Sequence, residues 1–278
     1  MRTSNFPTEP ELSLVIPFFN EEGNVRALFA ELDPIVVDLP YGVEVIAVDD
    51  GSTDDTATHL AASARRYPNL KILTCAENKG QSAAFALGFR AARGRLVATL
   101  DGDLQIDPRD LPEMLNQLER DGVDLVYGWR KERCDPWSKR FSTRIANAVR
   151  NFILGESIHD TGCPLKVFRA EVLATLPYFE GMHRFYISLA HRQGWTSSEM
   201  IVRHRPRYGG LSKYGIRNRL FRSLRDCLAV RWMDARGWKG TLGTRLRPKS
   251  RPAAGPGEGG ALIDEESAVR SRTSEVRN

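Results

Sequence analysis

Short apolar runs alternate with longer mixed stretches over the first half of the chain. Leu12-Ser13-Leu14-Val15-Ile16 is an apolar run of strand length that meets Pro17, and the strand is expected to stop there because proline cannot donate to a ladder. Val43 to Val48 and Leu70 to Thr74 read as second and third strands, and Leu96 to Leu100 as a fourth. Helix-forming stretches lie between them. Asn24 to Leu32 is one, a segment through Tyr67 that Ser52-Thr53-Asp54-Asp55 can cap is another, and Ser82 to Ala92, with Gly94 as its stop, is a third. Strands alternating with helices from Leu12 to Tyr127 predict an α/β fold around a mostly parallel sheet. Such sheets bind ligands outside the carboxyl ends of their strands.

Acidic residues stand at two of those ends. Val48 runs into Asp49-Asp50-Gly51-Ser52, and Leu100 runs into Asp101-Gly102-Asp103-Leu104-Gln105. Asp-Gly-Asp alone is also an ordinary polar turn, but two acidic strand ends imply one shared crevice. Hard cations such as Mg²⁺ take oxygen ligands, commonly one or two carboxylates plus substrate phosphates. On an extended chain Asp103 and Gln105 would point to the same side, since side chains alternate. Gly102 would leave room for a ligand near the backbone.

The alternation weakens after Asp124-Leu125-Val126-Tyr127-Gly128-Trp129-Arg130. A helix is expected from Ser138 to Leu154, carrying Arg140, Arg144 and Arg150, followed by a less regular region from Asp160 to Gly210. Arg217 to Met233 reads as an amphipathic helix with Leu220, Phe221, Leu224, Leu228 and Trp232 on one face and Arg219, Arg222 and Arg225 towards the other. That helix either lies in a membrane interface or packs on the domain. The Pro- and Gly-rich stretch past Trp238 predicts a disordered tail over 241–278. The expected partition is a domain over 10–215, a basic helical segment over 216–240, and the tail.

With 278 residues, 41% hydrophobic and 27% charged, the chain has the composition of a soluble globular protein. No apolar run reaches the roughly 18 residues of a membrane span. Met1 to Pro10 is polar rather than signal-like, so a cytoplasmic location is expected. Neither the four cysteines nor the five histidines show metal-ligand spacing, and no disulfide framework is indicated. The net charge of +5 is unevenly spread: Lys and Arg from Arg203 to Arg251 face only Asp226 and Asp234 as acids, which points to an anionic partner. No nucleic-acid motif accompanies that charge.

Taken together, Ile16-Pro17-Phe18-Phe19-Asn20-Glu21, Val48-Asp49-Asp50-Gly51-Ser52, Asn78-Lys79-Gly80, Asp101-Gly102-Asp103-Leu104-Gln105, Gly128-Trp129-Arg130 and Arg207 through Ser212-Lys213-Tyr214 resemble the family 2 glycosyltransferases. Within them the chain is similar to the polyprenyl-phosphate glycosyltransferases of the dolichol-phosphate mannose synthase type, over Leu12 to Tyr214. The resemblance implies a GT-A fold that binds a nucleotide sugar and inverts the anomeric centre. It implies that Pro17, Phe19 and Glu21 line the nucleoside pocket, that Asp50 accepts hydrogen bonds from the base, and that Val48 meets the base through its backbone. Phe19 stands where many members carry Tyr, so only a stacking role carries over. Asp103 and Gln105 would ligate Mg²⁺ or Mn²⁺ on the diphosphate, with Asp101 and Gly102 alongside. Arg130, Arg207 and Lys213 would contact phosphates, Asp103, Arg130 and Lys213 being the catalytic set, while Arg130 and Arg144 would meet the acceptor phosphate.

The acceptor can be argued chemically. A hydroxyl needs a general base, whereas a lipid phosphate is already an anionic nucleophile. The stretch Phe179-Glu180-Gly181-Met182-His183-Arg184-Phe185 lacks the acidic pair that hydroxyl-directed relatives carry, and Asp160 is expected to organise the acceptor side. The leading expectation is transfer of mannose from GDP-mannose to a polyprenyl phosphate by an enzyme peripheral on the inner face of the cytoplasmic membrane. The alternatives are a UDP-sugar donor, a hydroxyl acceptor with Asp160 as base, and a non-catalytic nucleotide-sugar-binding scaffold.

Overall fold

The computed structural model describes residues 9–132, 137–206 and 216–236, the side chains of 137–143 and 216–223 excepted. Arg207, Lys213, Cys134 and the tail over 241–278 lie outside the described residues, as do the side chains of Arg140, Arg219, Leu220, Phe221 and Arg222.

A seven-stranded sheet organises the chain: β1 (Leu12–Phe18), β2 (Val43–Asp49), β3 (Leu70–Thr74), β4 (Leu96–Thr99), β5 (Leu125–Trp129), β6 (Lys166–Arg169) and β7 (Ser197–Ile201), in spatial order β3-β2-β1-β4-β6-β5-β7. All pairs are parallel except those made by β6, which runs antiparallel to both β4 and β5. The expected mostly parallel α/β sheet is therefore present.

The period-two pattern splits the central strands between two cores. Leu12, Leu14, Ile16 and Phe18 of β1, with Val45 and Ala47 of β2, meet α1 (Glu22–Asp38) and α4 (Leu111–Asp121) on one face. Val15, Ile46 and Val48 meet α3 (Gln81–Ala91) and α7 (Tyr186–Arg192) on the other. Each fully buried Leu, Ile or Phe contributes roughly 1.5–3 kcal/mol, and both β1 and β2 are buried along their whole length.

Several expected boundaries shift. Pro17 does not end β1. Residues 15 and 17 present their peptide groups to the β4 side, where the ladder ends at Val15 opposite Thr99, so the missing N–H of Pro17 falls beyond the last β4 partner. Gly94 does not cap α3, whose cap residue is Ala92 in extended backbone. A Cβ on Gly94 would stand 2.7 Å from the Ser13 backbone nitrogen, so this glycine lets the entry to β4 press against β1. The first helices run Glu22–Asp38 and, as α2, Thr56–Arg66. The stretch expected to be irregular holds β6, β7, α6 (Ala170–Ala174) and α7.

Two long helices, α5 (Trp137–Leu154) and α8 (Ile216–Ala235), pack against each other. Cys227 and Val230 of α8 are buried with Leu154, Phe185 and Leu189, while Leu224, Leu228 and Trp232 are exposed. The helix thus packs on the domain through a different side from the apolar face read in the sequence.

Candidate active site

β1 and β2 end side by side with Phe18 opposite Asp49, and the Asp50 N–H donates to the Phe18 carbonyl at 2.9 Å. The chain then turns at once. The Ser52 N–H donates to Asp49 Oδ1 at 3.0 Å, and Gly51 takes φ 70°. A Cβ on Gly51 would lie 2.5 Å from the Glu77 carbonyl carbon, so only glycine allows these two loops to touch. The buried Asp50 carboxylate accepts from the N–H groups of Lys79 (2.9 Å) and Gly80 (2.8 Å) and from Asn78 Nδ2 (3.0 Å). A carboxylate has about four acceptor positions. Asp50 is therefore chiefly the anchor of the Asn78-Lys79-Gly80 loop, with little capacity left for a base.

Gln81, the residue after that loop, opens α3 and donates Nε2 to Asp101 Oδ1 at 2.7 Å. Gly80 holds the second strand end and Gln81 the fourth, so the two acidic strand ends are linked through this loop.

Residues 101–105 are not extended. Leu104 is left-handed (φ 58°) because its side chain is buried in the core beneath α1 and α4, and Asp103 Oδ1 accepts the Gln105 N–H at 3.1 Å. Asp103 and Gln105 are thus neighbours through a turn, and the alternation argument for them fails. A Cβ on Gly102 would meet the Phe18 ring at 2.6 Å and the Pro17 carbonyl at 3.2 Å, so this turn is pressed onto the end of β1. Burial, and then the Asp103 charge, push the Asp101 carboxyl up to about 7 against the opposing pull of Lys166, Arg130 and Gln81. Crowded carboxylates of this kind favour a cation. Two carboxylates and a carboxamide fit Mg²⁺ or Mn²⁺ completed by phosphate oxygens. Among the described residues no group of three or more His, Cys, Asp or Glu side chains is arranged to hold a metal ion by itself.

Of the expected nucleoside-pocket residues, Pro17 sits opposite Val48 at the strand ends. The Val48 side chain is buried under α3, which leaves its backbone as the part able to meet a base. Glu21 is held by its N–H to Thr56 Oγ1 (2.8 Å) and by Asn24 Nδ2 on its carboxylate (2.5 Å), and Phe19 is half-buried beside it in the chain.

Arg130, close enough to Asp101 to act on its charge, follows β5. Its Nε and Nη2 donate to the two Asp160 oxygens at 2.7 and 2.9 Å, and Asp160 also accepts the Arg130 and Gly162 N–H groups at 3.3 and 3.1 Å. Both side chains are largely buried. Burial alone would lower the Arg130 pKa, and the paired carboxylate more than reverses this, fixing the positive charge. Lys166 on β6 is fully enclosed, its ammonium donating to the Cys163 carbonyl and its pKa lowered by burial. Arg144 stands exposed on α5, and no contact among the described residues joins it to Arg130 or Asp160.

Three residues were missed by reading the sequence. Gln81 directly follows the Asn78-Lys79-Gly80 motif. Lys166 was visible as a lone charge inside Leu165-Lys166-Val167-Phe168. His183, whose Nδ1 is 2.7 Å from Ser82 Oγ next to Gln81, gave no signal in its spacing.

The sheet order and its flanking helices define a GT-A fold. Solved structures of this fold include glucosyl-3-phosphoglycerate synthase from Mycobacterium tuberculosis in complex with UDP, with TM-score 0.61 and 20% identity over 81% of this chain and 80% of that one. Another is the mannosyltransferase PcManGT from Pyrobaculum calidifontis in complex with GDP-Man and Mn²⁺, with TM-score 0.56 and 20% identity over 84% of this chain and 67% of that one. The glycosyl transferase family 2 model matches residues 13–176, and the chain belongs to that family.

A dodecaprenyl-phosphate galacturonate synthase from Rhizobium johnstonii is 41% identical over 245 residues, covering 83% of this chain and 69% of the relative. An undecaprenyl-phosphate 4-deoxy-4-formamido-L-arabinose transferase from Edwardsiella ictaluri is 32% identical over 215 residues, covering 77% and 66%. Its namesake in Pseudomonas aeruginosa is 33% identical over 204 residues, covering 73% and 60%. The chain thus spans between 60% and 69% of the length of these curated relatives.

Proposed function

We propose that the protein moves a sugar from a nucleoside diphosphate donor to the phosphate of a polyprenyl phosphate, with inversion at the anomeric carbon. The observation that carries this reading is the engagement of Asp160 by Arg130. A carboxylate that accepts a bidentate guanidinium and a further backbone N–H is a poor proton acceptor. That favours an acceptor that is already anionic over a hydroxyl activated by Asp160. The polyprenyl-phosphate names of the relatives point the same way.

In this mechanism a phosphate oxygen of the lipid attacks C1 of the sugar, the bond from C1 to the diphosphate breaks, and the nucleoside diphosphate leaves with the electron pair. Asp103 and Gln105, with Asp101 alongside, would hold Mg²⁺ or Mn²⁺, and such an ion supplies Lewis-acid stabilisation of the leaving diphosphate. Arg130 is held by Asp160 as a fixed cation able to take the acceptor phosphate bidentately. Arg207 and Lys213 belong to the same proposal as phosphate contacts. Pro17, Phe19, Glu21, Val48 and Asp50 would surround the nucleoside. Asp50 would reach the base only with the acceptor capacity its loop contacts spare.

For the sugar we favour a galacturonate-type donor, because the relative at 41% identity carries galacturonate in its name. Mannose from GDP-mannose is the second reading and rests on the order of the motifs. A lipid acceptor would place the enzyme at a membrane surface, on the inner face of the cytoplasmic membrane where nucleotide sugars are made.

The test is transfer from a panel of labelled UDP- and GDP-sugars to undecaprenyl phosphate in detergent, with Mg²⁺ or with EDTA. A mild-acid-labile labelled lipid formed only with metal is expected. Sugar passed to a hydroxyl compound instead, with Asp160→Asn abolishing it, would overturn the reading.

A further inference from the structure

The turn from Gly181 to Phe185 is fixed from both ends. Gly181 takes φ 90°, and Met182 and Phe185 are buried on either side of the half-buried His183. Arg184 Nη2 donates to Asp226 at 2.8 Å, which holds the turn against α8. The turn packs on the start of α3, where the buried Ser82 Oγ accepts the Gly181 N–H at 3.0 Å, lies 3.5 Å from the His183 backbone nitrogen and stands 2.7 Å from His183 Nδ1. Ser82 directly follows Gln81, which holds Asp101 Oδ1 at 2.7 Å. The imidazole is therefore tied to the same end of α3 as the Asp101 carboxylate.

Counting protons assigns the tautomer of this ring. A hydroxyl has one proton to give and two lone pairs with which to accept. The backbone N–H groups of Gly181 and, more weakly, of His183 can only donate, and they occupy the accepting side of Ser82 Oγ. The hydroxyl proton is left for His183 Nδ1, so the neutral ring carries its own proton on Nε2. A proton added at Nδ1 would compete with both amides for the same oxygen. Ser82 thus keeps the ring a neutral donor at Nε2 and occupies the nitrogen that a general base would use. That arrangement suits an acceptor with no proton to lose.

Asp101 feels the Arg130 charge from the β5 side and takes the Gln81 amide from the α3 side. We infer that His183 is a further catalytic residue of the transfer, its Nε2–H donating to an oxygen of the acceptor phosphate that Arg130 binds. Arg130 supplies the positive charge. His183, being neutral, orients the attacking phosphate while drawing less charge from it than a second guanidinium would. No proton changes hands. This rests on the reading that the acceptor is a phosphate, and it adds an uncharged contact from the α3 side to the cationic one.

The test uses the full chain, a short, water-soluble prenyl phosphate, Mg²⁺ and each labelled UDP- or GDP-sugar of the panel above. His183→Leu should lower kcat for transfer by about ten- to a hundredfold, the worth of one hydrogen bond to a charged group. The KM for the nucleotide sugar and the calorimetric affinity for the nucleoside diphosphate should stay near those of the parent. His183→Gln keeps an N–H donor at a similar reach and should recover most of the loss, with thermal melts showing that both variants are folded. Parental transfer rates in His183→Leu, equal losses in the Leu and Gln variants with parental melts, or a matching loss of nucleotide affinity would each overturn the role and leave the reaction standing. A parent that forms no prenyl-phosphate product with any donor would sink the reaction and the role together.

Discussion

The carboxyl ends of β1, β2 and β4 and the region from β5 to α8 handle carboxylates in opposite ways. At the strand ends, acids are held mainly by peptide groups: Asp49 by Ser52, Asp50 by Lys79 and Gly80, Asp103 by Gln105. Peptide dipoles orient a carboxylate without neutralising it, so that side keeps its negative charge. From β5 to α8, acids are spent on guanidinium groups: Asp160 on Arg130, Glu156 on Arg192, Asp226 on Arg184. The acids there fix cations in place, and the cations remain as the working charges.

The largest effect is expected from emptying the strand ends of their charge. Asp103→Ala should lower kcat/KM by about a hundredfold or more without lowering the unfolding temperature, because it relieves repulsion with Asp101. Steady-state rates at several Mg²⁺ concentrations beside a thermal melt would check both parts.

Asp160→Asn probes the region from β5 to α8. Leaving Arg130 largely buried without its counter-charge should cost about 3 kcal/mol of stability, measured by urea unfolding. The residual activity should keep the shape of the parent pH–rate profile, since a positioning group rather than a base has been removed. Gly51→Ala sharpens the contrast from the strand ends. It places a Cβ against the Glu77 backbone at positive φ and should cost about 2 kcal/mol while weakening nucleotide binding in calorimetry.

The smallest effect lies between the two regions, at Asp107. Burial would raise its pKa, but Arg109 and Arg205 outweigh burial and hold it well below the usual carboxylate range. A depressed carboxyl contributes stability above its unfolded pKa of about 4 and loses that contribution as the pH falls towards the folded value. Solvent screening of the exposed arginine limits the contribution to the order of 1 kcal/mol. Asp107→Asn should therefore flatten the acid limb of stability below pH 4 in unfolding experiments.

The sheet was legible because buried parallel strands are written as continuous apolar runs. Val43–Val48 of β2 was read this way, whereas the ladder geometry around Pro17 overrode a local rule and β6 and β7 went unread. The pairing of the two acidic strand ends was legible too, since both fall at the same edge of the sheet. What escaped depended on contacts distant in sequence. Leu104 is forced into a left-handed turn by the core beneath it. Asp160 meets Arg130 across thirty residues. The exposed and buried sides of α8 are set by α5 and α7, which its own periodicity cannot reveal. Arg150 looked like one more surface cation of a basic helix and is instead buried, over the Phe185 ring at 5.1 Å.

The antiparallel strand β6 has a consequence for the order in which the protein is made. It fills the slot between β4 and β5, yet it is encoded by Lys166–Arg169, well after both. Until a ribosome has released that segment, β3-β2-β1-β4 is a four-stranded sheet whose β4 edge is open and flanked by apolar residues. The Asp101–Gln105 turn at the end of β4 would exist on that nascent sheet before β5 and Arg130 are in place. A pause between codons 100 and 166 would leave the open edge exposed longest, and it is there that a chaperone would have most to protect.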